Sequence, residues 1–181
     1  MSRFEKVSFE QWKKDCGING ADEATLREMY DGIKLPHQAT AASAGCDFYM
    51  PFGLDFVAGS KFRIATGVRW VCAGASEANA AIDGGAAGED RDRVLLVVPR
   101  SGLGFKYGIK LSNTIGVIDA DYCDADNEGH IIISLENPSD VDVKLEEGKP
   151  FAQGIVVKYE IPEGAAGDAK RAGGFGSTDK K

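Results

Sequence analysis

Residues 99–122 read PRSGLGFKYGIKLSNTIGVIDADY, and this stretch is the most informative part of the chain. It begins with a phosphate-type loop at 100–102 and ends with a carboxylate, Asp119, followed by an aromatic ring, Tyr122. The apolar run at 115–118 predicts a buried strand that ends in a polar turn. A carboxylate directly after such a strand lies where burial can shift its pKa and where a substrate can reach it. The stretch therefore predicts a site that acts on a phosphorylated small molecule.

Short apolar runs on both sides of this stretch alternate with turns that are rich in Gly, Pro and Asp. Several short strands at such spacing are typical of an all-β barrel or sandwich rather than of alternating strands and helices. The predicted strands are 46–50, 54–57, 62–64, 68–72, 94–98, 131–135, 141–145 and 151–157. The chain has 181 residues, which is about the length of one domain and enough to bury a core.

The N-terminal region, residues 1–35, is predicted to be a short helical extension. Ser8 and Gln11 have the spacing of a capping box, which marks the start of a helix. A second helix can begin at Asp22 or at Asn19, and its apolar residues recur at three-to-four spacing.

The rest of the chain divides into a β-barrel core at 36–161 and a C-terminal tail at 162–181. Residues 73–92 interrupt the core with small and polar side chains, so they predict an exposed, mobile insertion. The tail is rich in Gly, Ala and Lys and cannot bury a core, which predicts a flexible arm.

The chain is acidic, with a formal net charge of -7 and a pI of about 4.9. An acidic surface disfavours general binding to nucleic acid or to anionic membranes, although a local basic patch can still bind a nucleotide. No apolar run approaches the roughly 20 residues that span a bilayer. The N-terminus lacks the apolar stretch of a secretion signal.

The cysteines predict a cytoplasmic protein without a zinc site. The four cysteines are far apart, at positions 16, 46, 72 and 123, and form no Cys-x-x-Cys pair. His37 and His130 add no ligand spacing to them. We therefore expect free thiols in a reducing compartment.

Three further segments carry weak signals when each is taken alone. Asp47, at the start of a predicted strand, is the kind of residue that usually makes a turn. Gln153 follows a Gly-Lys-Pro turn, where a glutamine usually makes a cross-strand hydrogen bond. The tail places Phe175 among glycines and beside Lys170 and Arg171. Glycines let backbone N–H groups approach phosphate oxygens, an arginine fork binds phosphate, and a phenylalanine can stack on a base.

Taken together and in order, five segments resemble the five motifs of the trimeric dUTPase family, the deoxyuridine triphosphate nucleotidohydrolases. The segments are ASAGCDFY at 42–49, PRSGLG at 99–104, NTIGVIDADY at 113–122, GKPFAQ at 148–153 and GGFGST at 173–178. The resemblance covers roughly residues 35–178 and is most specific in the second, third and fifth motifs. The helical N-terminus and the additional residues after Tyr122 resemble a phage and Firmicute-associated branch.

The resemblance implies a β-barrel or jelly-roll fold, a homotrimer with shared active sites, and hydrolysis of dUTP to dUMP and pyrophosphate, which limits uracil incorporation into DNA. It implies that Asp119 is the general base that activates the water attacking the α-phosphorus. Tyr122 then packs against the deoxyribose and excludes UTP, and Asn113 reads the uracil edge together with backbone groups of the hairpin.

The resemblance also implies how the triphosphate is bound. Arg100, Ser101 and Gly102 match the loop that binds the α- and β-phosphates, and Gln153 matches a contact to phosphate and water. Asp47 matches the carboxylate that holds Mg²⁺ through water, which suits an ion that keeps its hydration shell.

In the tail, the resemblance implies that Phe175 stacks on uracil as the tail closes over the site. It implies that Gly176 belongs to the same binding segment, and that Ser177 and Thr178 reach the γ-phosphate. The spacing before Phe175 departs from the family pattern by one residue, so the cation that meets the γ-phosphate is either Arg171 or Lys170.

Two rival functions stay open. A dCTP deaminase has the same core and uses a Glu on the strand after the hairpin, and Glu136 lies near the equivalent place. Some phage members of the family are regulatory partners of other proteins, and residues 73–92 or the N-terminal region could form such a surface. No partner can be named from the sequence.

The acidic residues after Tyr122 also have two interpretations. Asp124, Asp126 and Glu128 could form a second metal site, or they could form a solvated acidic loop. The loop is the interpretation that we favour.

Overall fold

The computed structural model describes residues 2–72 and 92–165. Apart from Asp92, the predicted insertion at 73–92 lies outside the described residues, and so does the predicted tail beyond residue 165. Among the described residues, no helix has both the length and the apolar character needed to cross a membrane.

The described residues form twelve short strands, three helices and one 3-10 helix. The strands are β1 (Arg3–Lys6), β2 (His37–Gln38), β3 (Cys46–Tyr49), β4 (Leu54–Phe56), β5 (Lys61–Ala65), β6 (Val68–Val71), β7 (Arg93–Pro99), β8 (Lys110–Leu111), β9 (Gly116–Ile118), β10 (Ile132–Glu136), β11 (Val143–Leu145) and β12 (Pro150–Lys158). The helices are α1 (Phe9–Asp15), α2 (Glu23–Asp31) and α3 (Ser101–Tyr107), and the 3-10 helix is Ala120–Asp124.

The strands pair in antiparallel sheets around one core. The largest sheet has the order β2-β3-β12-β7-β9, and the smaller sheets are β5-β10-β8, β11-β4 and β1-β6. Each strand predicted from an apolar run is found within a residue or two of its predicted ends. The all-β prediction is therefore confirmed.

Alternation along β7 shows how the sequence builds the large sheet. Leu95 and Val97 are 0% and 1% exposed and point into the core, whereas their neighbours Leu96 and Val98 are only half-buried. This period of two is what a strand with one buried face requires. The core itself contains two tryptophans, Trp12 and Trp70, which are both fully buried.

The predicted buried strand at 115–118 is only partly correct. It forms β9, in which Ile118 is buried but Val117 is 61% exposed, and the preceding Ile115 is exposed as well. The reason is that Val117 and Ile118 point to opposite faces of the large sheet, and only the inner face packs against the core.

The N-terminal region contains the two predicted helices. The Ser8 hydroxyl oxygen accepts a hydrogen bond from the Gln11 amide at 3.2 Å and caps α1, and the Asp22 carboxylate accepts from the Thr25 amide at 2.7 Å and caps α2. The Gln11 side chain does not complete a capping box, because it donates to Asp15 instead.

The prediction of a helical segment is wrong for residues 3–6, which form β1 and pair with β6. This pairing gives the backbone of the first residues their hydrogen-bond partners. Trp12 then enters the common core, and its indole N–H donates to the Ala65 carbonyl at 3.2 Å. Gly67 leaves space for two core side chains, because a Cβ there would collide with Ile33 and lie 3.2 Å from Trp12 Cδ1. The proposed boundaries at residues 35 and 161 stay predictions.

All four cysteines are free thiols, as predicted. Burial raises the pKa of the Cys123 thiol to about 11, so this thiol is protonated and unreactive near neutral pH.

His130 is a fully buried residue that joins the N-terminal region to the barrel. Its Nε2 accepts a hydrogen bond from the Gly67 amide at 2.8 Å, and its Nδ1 lies 2.7 Å from the Asp15 carboxylate. Because Nε2 accepts, the ring is neutral and carries its proton on Nδ1. Burial lowers the pKa of His130 below its ordinary value of 6.5, although the hydrogen bond to Asp15 opposes this shift.

This environment predicts a pH-dependent loss of stability. Near and below pH 6.5, this histidine binds a proton more readily in the unfolded chain than in the folded chain, where it is buried. The free energy of unfolding therefore falls as the pH decreases through this value. Urea unfolding between about pH 7.5 and about pH 5.5 measures this slope. We expect a smaller slope for His130→Gln, and an unchanged slope would contradict the neutral-ring assignment. Carboxylates with a lowered pKa, such as Glu5 (ordinary value 4.5), change the free energy of unfolding only at a pH below the range of this measurement.

Candidate active site

Three of the predicted site residues meet at one end of the large sheet. Since β12 lies between β3 and β7, Gln153 is opposite Asp47 on one side and Val98 on the other. Arg100 directly follows β7, and its Nη1 donates to Asp47 Oδ2 at 3.0 Å. The Gln153 amide donates to the Pro99 carbonyl at 3.3 Å. Three separate segments of the sequence thus contribute a carboxylate, a guanidinium and an amide to one cluster.

The chain packs closely around this cluster. The Asp47 side chain is 10% exposed and that of Arg100 is 34% exposed, so the cation is the more accessible partner of the pair. A Cβ on Gly45 would lie 2.5 Å from Gln153 Oε1, so a larger residue there would displace the Gln153 amide. We refer to Asp47, Arg100 and Gln153 as the polar cluster.

The predicted phosphate-type loop is the beginning of a short helix. Arg100 is the N-cap residue of α3, and Ser101 and Gly102 form its first turn and are exposed. All three residues therefore follow the end of β7, where Arg100 contacts Asp47.

A cavity of about 460 Å³ lies between β9 and β10. Its lining includes Asn113, all three residues of Gly116–Ile118 and the first part of β10 up to Ser134. Pockets of this size bind small organic molecules, and this one combines an amide side chain with backbone groups and apolar side chains. The cavity can accept a flat heterocycle whose edge is read by hydrogen bonds.

Asp119 and Tyr122 follow this cavity along the chain. Asp119 is exposed in the single chain, so it does not have the buried position that the sequence predicts. The Tyr122 ring is 5% exposed. Its hydroxyl donates to the His130 carbonyl at 3.2 Å and accepts from Asn127 Nδ2 at 2.9 Å.

The strand register keeps Asp119 away from the polar cluster. Ile118 is opposite Leu95, so Asp119 lies level with the start of β7, whereas Arg100 follows its end. Six residues of strand separate these two levels, which corresponds to about 20 Å. We refer to Asp119 and the polar cluster as the two half-sites. In a single chain they lie at opposite ends of β7.

The remaining predicted binding residues, Lys170 or Arg171, Phe175, Gly176, Ser177 and Thr178, lie outside the described residues. One lining residue was missed by sequence reasoning. Arg63 is exposed on β5, opposite Ser134, and lines the cavity. The alternation of β5 indicates only that Arg63 faces outward, and its place beside β10 depends on a pairing that is distant in sequence.

The acidic residues after Tyr122 divide into two groups. Asp124 and Asp126 are exposed, as a solvated loop requires. Glu128 is half-buried, and its two carboxylate oxygens accept from the Ser8 amide at 2.7 Å and from the Ser8 hydroxyl at 2.6 Å. Within residues 2–72 and 92–165, no group of three or more His, Cys, Asp or Glu side chains could hold a metal ion. The alternative of a second metal site here is therefore not supported.

Glu136, the residue that would act in a deaminase, forms an ion pair with Lys61 at 3.5 Å. It lies two residues beyond the part of β10 that lines the cavity.

The chain is similar to several known proteins. The dUTPase family model matches residues 90–179. A deoxyuridine 5'-triphosphate nucleotidohydrolase of Lactococcus lactis is 34% identical over 159 residues, which is 86% of this chain and 95% of that protein. A protein of the same name from Acinetobacter baumannii is 33% identical over 154 residues, which is 81% of this chain and 89% of that protein.

Solved structures have the same fold. The crystal structure of dUTPase from Streptococcus mutans superposes with a TM-score of 0.59 at 28% identity, and the match covers 89% of this chain and 98% of that chain. The dUTPase from phage phi11 of S. aureus gives a TM-score of 0.58 at 15% identity, covering 94% of this chain and 97% of that chain. The second match shows similarity of fold alone.

Proposed function

The chain belongs to the dUTPase family, and on that premise we propose that it hydrolyses dUTP to dUMP and pyrophosphate. The observation that carries the proposal is the cavity between β9 and β10. It has room for a pyrimidine ring, and its lining residues include Ile118, which directly precedes Asp119. The polar cluster supports it as a second half-site suited to phosphate.

Uracil would be selected by its hydrogen-bonding edge. We propose that Asn113 and the backbone N–H and C=O groups around β9 pair with the N3–H and carbonyl groups of uracil. Cytosine presents a different order of donors and acceptors, so it would leave polar groups of the cavity unpaired. A site built in this way rejects the wrong base strongly.

The triphosphate would bind at the polar cluster. We propose that Arg100 turns from Asp47 to the α- and β-phosphates, with Ser101, Gly102 and Gln153 beside it. The Arg100 guanidinium is charged at any relevant pH and forms paired hydrogen bonds to phosphate oxygens.

Asp47 suits the hydrated Mg²⁺ that the family pattern implies. It is a nearly buried carboxylate with an accessible cation beside it, and the described residues offer no group of ligands that could bind a metal without the substrate. Mg²⁺ often keeps several waters and is held by one carboxylate together with substrate phosphates. When bound, the ion would neutralise charge on the phosphate oxygens.

Asp119 is our proposed general base. It takes a proton from a water molecule as the water oxygen forms a bond to the α-phosphorus. The bond from this phosphorus to the oxygen that bridges to the β-phosphate breaks, and pyrophosphate leaves with the electron pair. Positioning and charge neutralisation account for most of the rate in such a reaction.

Two further contacts would complete the site. Tyr122 packs against the deoxyribose and leaves no room for a 2′-hydroxyl. In the tail, Phe175 stacks on uracil with Gly176 beside it, while Ser177, Thr178 and either Arg171 or Lys170 bind the γ-phosphate. Closure of the tail would exclude water other than the attacking molecule.

We propose that this site forms between subunits of a homotrimer. Asp119 and Arg100 must both approach the same phosphorus, but about 20 Å of strand separates their levels in one chain. A second copy can bring its Asp119 to the polar cluster of the first. Three copies in a closed ring would make three equivalent sites.

The outer face of the large sheet supports this assembly. Leu96 lies between Ile155 on β12 and Val117 on β9, and all three side chains are on the same outward face. Val117 is 61% exposed, and Leu96 and Ile155 are partly exposed. Contiguous apolar surface of this kind is typical of an interface between protein chains.

One assay tests both the substrate specificity and the role of Asp119 as the general base. Pyrophosphate release is measured with Mg²⁺ for dUTP, UTP and the four standard deoxynucleoside triphosphates. We expect turnover of dUTP alone, and Asp119→Asn should lower kcat by about 10²–10⁴-fold because a general base contributes that much.

The matched control is Asp126→Asn, which removes an exposed carboxylate from the following loop and should keep wild-type turnover. Equal turnover of all nucleotides would contradict the uracil-specific site. Ammonia release from dCTP would instead support the deaminase, and near wild-type turnover by Asp119→Asn would remove this residue from its role.

The interface is tested by Leu96→Glu. Three like charges buried in a trimer interface would be unpaired and costly, so we expect monomers and loss of dUTP hydrolysis together. Light scattering coupled to size-exclusion chromatography measures the mass. Val57→Glu is the control, because Val57 is 56% exposed and directly follows β4, which belongs to a different sheet. A Leu96→Glu variant that is monomeric and fully active would refute the shared site.

A further inference from the structure

The segment that follows Tyr122, residues 123–130, folds back and forms hydrogen bonds with the Tyr122 hydroxyl. The hydroxyl donates to the carbonyl of His130, at the far end of the segment, and accepts from Asn127 at 2.9 Å. The same Asn127 amide donates to the His130 carbonyl at 3.3 Å. The position of the ring is therefore tied to the backbone of residues 127–130.

A tight turn keeps this segment against the tyrosine. Glu128 and Gly129 both have left-handed backbone angles, with φ of 58° and 72°. A Cβ on Gly129 would lie 2.6 Å from Cys123 Cα and 2.8 Å from the Tyr122 carbonyl oxygen. The turn thus packs directly on the backbone of Tyr122, and Glu128 adopts a conformation that is unfavourable for a residue with a side chain.

Both ends of helix α1 form hydrogen bonds with this turn. At its beginning, the Ser8 amide and hydroxyl donate to the two carboxylate oxygens of Glu128 at 2.7 and 2.6 Å. At its end, Asp15 lies 2.7 Å from His130 Nδ1. These contacts offset the unfavourable conformation of Glu128 and fix the carbonyl to which Tyr122 donates.

We propose that α1 is a positioning element for Tyr122 and sets how strongly the site rejects a 2′-hydroxyl. The inference rests on the proposed function, in which Tyr122 packs against the deoxyribose. Ser8, Asp15, Glu128 and His130 are positioning residues, because they act through Tyr122 and not on the substrate. A hydroxyl group is small, so even a slight movement of the ring would make room for it.

The experiment compares kcat/KM for dUTP and for UTP in variants of the full chain. Asp15→Ala and Glu128→Ala each remove one of the two contacts to α1. We expect the dUTP to UTP ratio to fall about tenfold in each, the equivalent of one lost hydrogen-bonding contact. Most of the change should be a lower KM for UTP, with kcat for dUTP little altered.

Two further variants separate positioning from general stability. Asp15→Asn keeps an acceptor for the His130 Nδ1–H and should restore the wild-type ratio. Tyr30→Phe removes a different hydrogen bond of the N-terminal region, from the Tyr30 hydroxyl to the Val7 carbonyl at 2.6 Å, and should leave the ratio unchanged. Amide hydrogen exchange within 122–130 should become faster in Asp15→Ala and stay slow in Asp15→Asn.

Ratios within about twofold of wild type in both alanine variants would overturn the inference. So would an equal fall in Tyr30→Phe, since the effect would then follow from loosening of the N-terminal region as a whole. A wild-type protein that does not hydrolyse dUTP, or that turns over UTP equally well, would contradict the proposed function instead.

Discussion

The antiparallel register of β7 with its two neighbours determines how far the polar cluster lies from Asp119. Pairing with β12 brings Gln153, and through β3 Asp47, to the end of β7 where Arg100 follows. Pairing with β9 places Asp119 level with the opposite end. Since the sheet is rigid on this scale, one chain cannot bring its own Asp119 to its own Arg100. The division into two half-sites is thus a consequence of hydrogen-bond geometry, and it makes a second copy of the chain part of the proposed site.

The N-terminal region is built into this barrel. β1 pairs with β6, Trp12 is fully buried, and His130 is held between Asp15 and the Gly67 amide. Each contact joins residues that are far apart in sequence, so the region cannot detach without opening the core. The same contacts reach the loop that holds Tyr122. Stability of the fold and placement of the Tyr122 ring therefore depend on one network.

Features that depend on local chemistry could be predicted from the sequence. The caps at Ser8 and Asp22 and the strands between Gly, Pro and Asp turns follow from neighbouring residues. The exposure of Val117 and Asp119 could not be predicted, because it depends on which surfaces of the large sheet and of the following turn the rest of the fold covers. The contact of Glu128 with Ser8 crosses 120 residues, so no local pattern indicates it. In the site, the structure brings Asp47, Arg100 and Gln153 together, and their separation from Asp119 follows from the sheet register, which the sequence alone does not reveal.

Complementation between two inactive variants tests the shared site most directly. Asp119→Asn keeps an intact polar cluster, and Arg100→Ala keeps an intact base. The two proteins are unfolded together, refolded as a mixture, and assayed for pyrophosphate release from dUTP. If each site takes Arg100 from one subunit and Asp119 from another, random mixing of equal amounts restores about a quarter of the wild-type activity. Activity that stays at the level of the separate variants, in mixed assemblies of confirmed composition, would show that each chain forms its site alone.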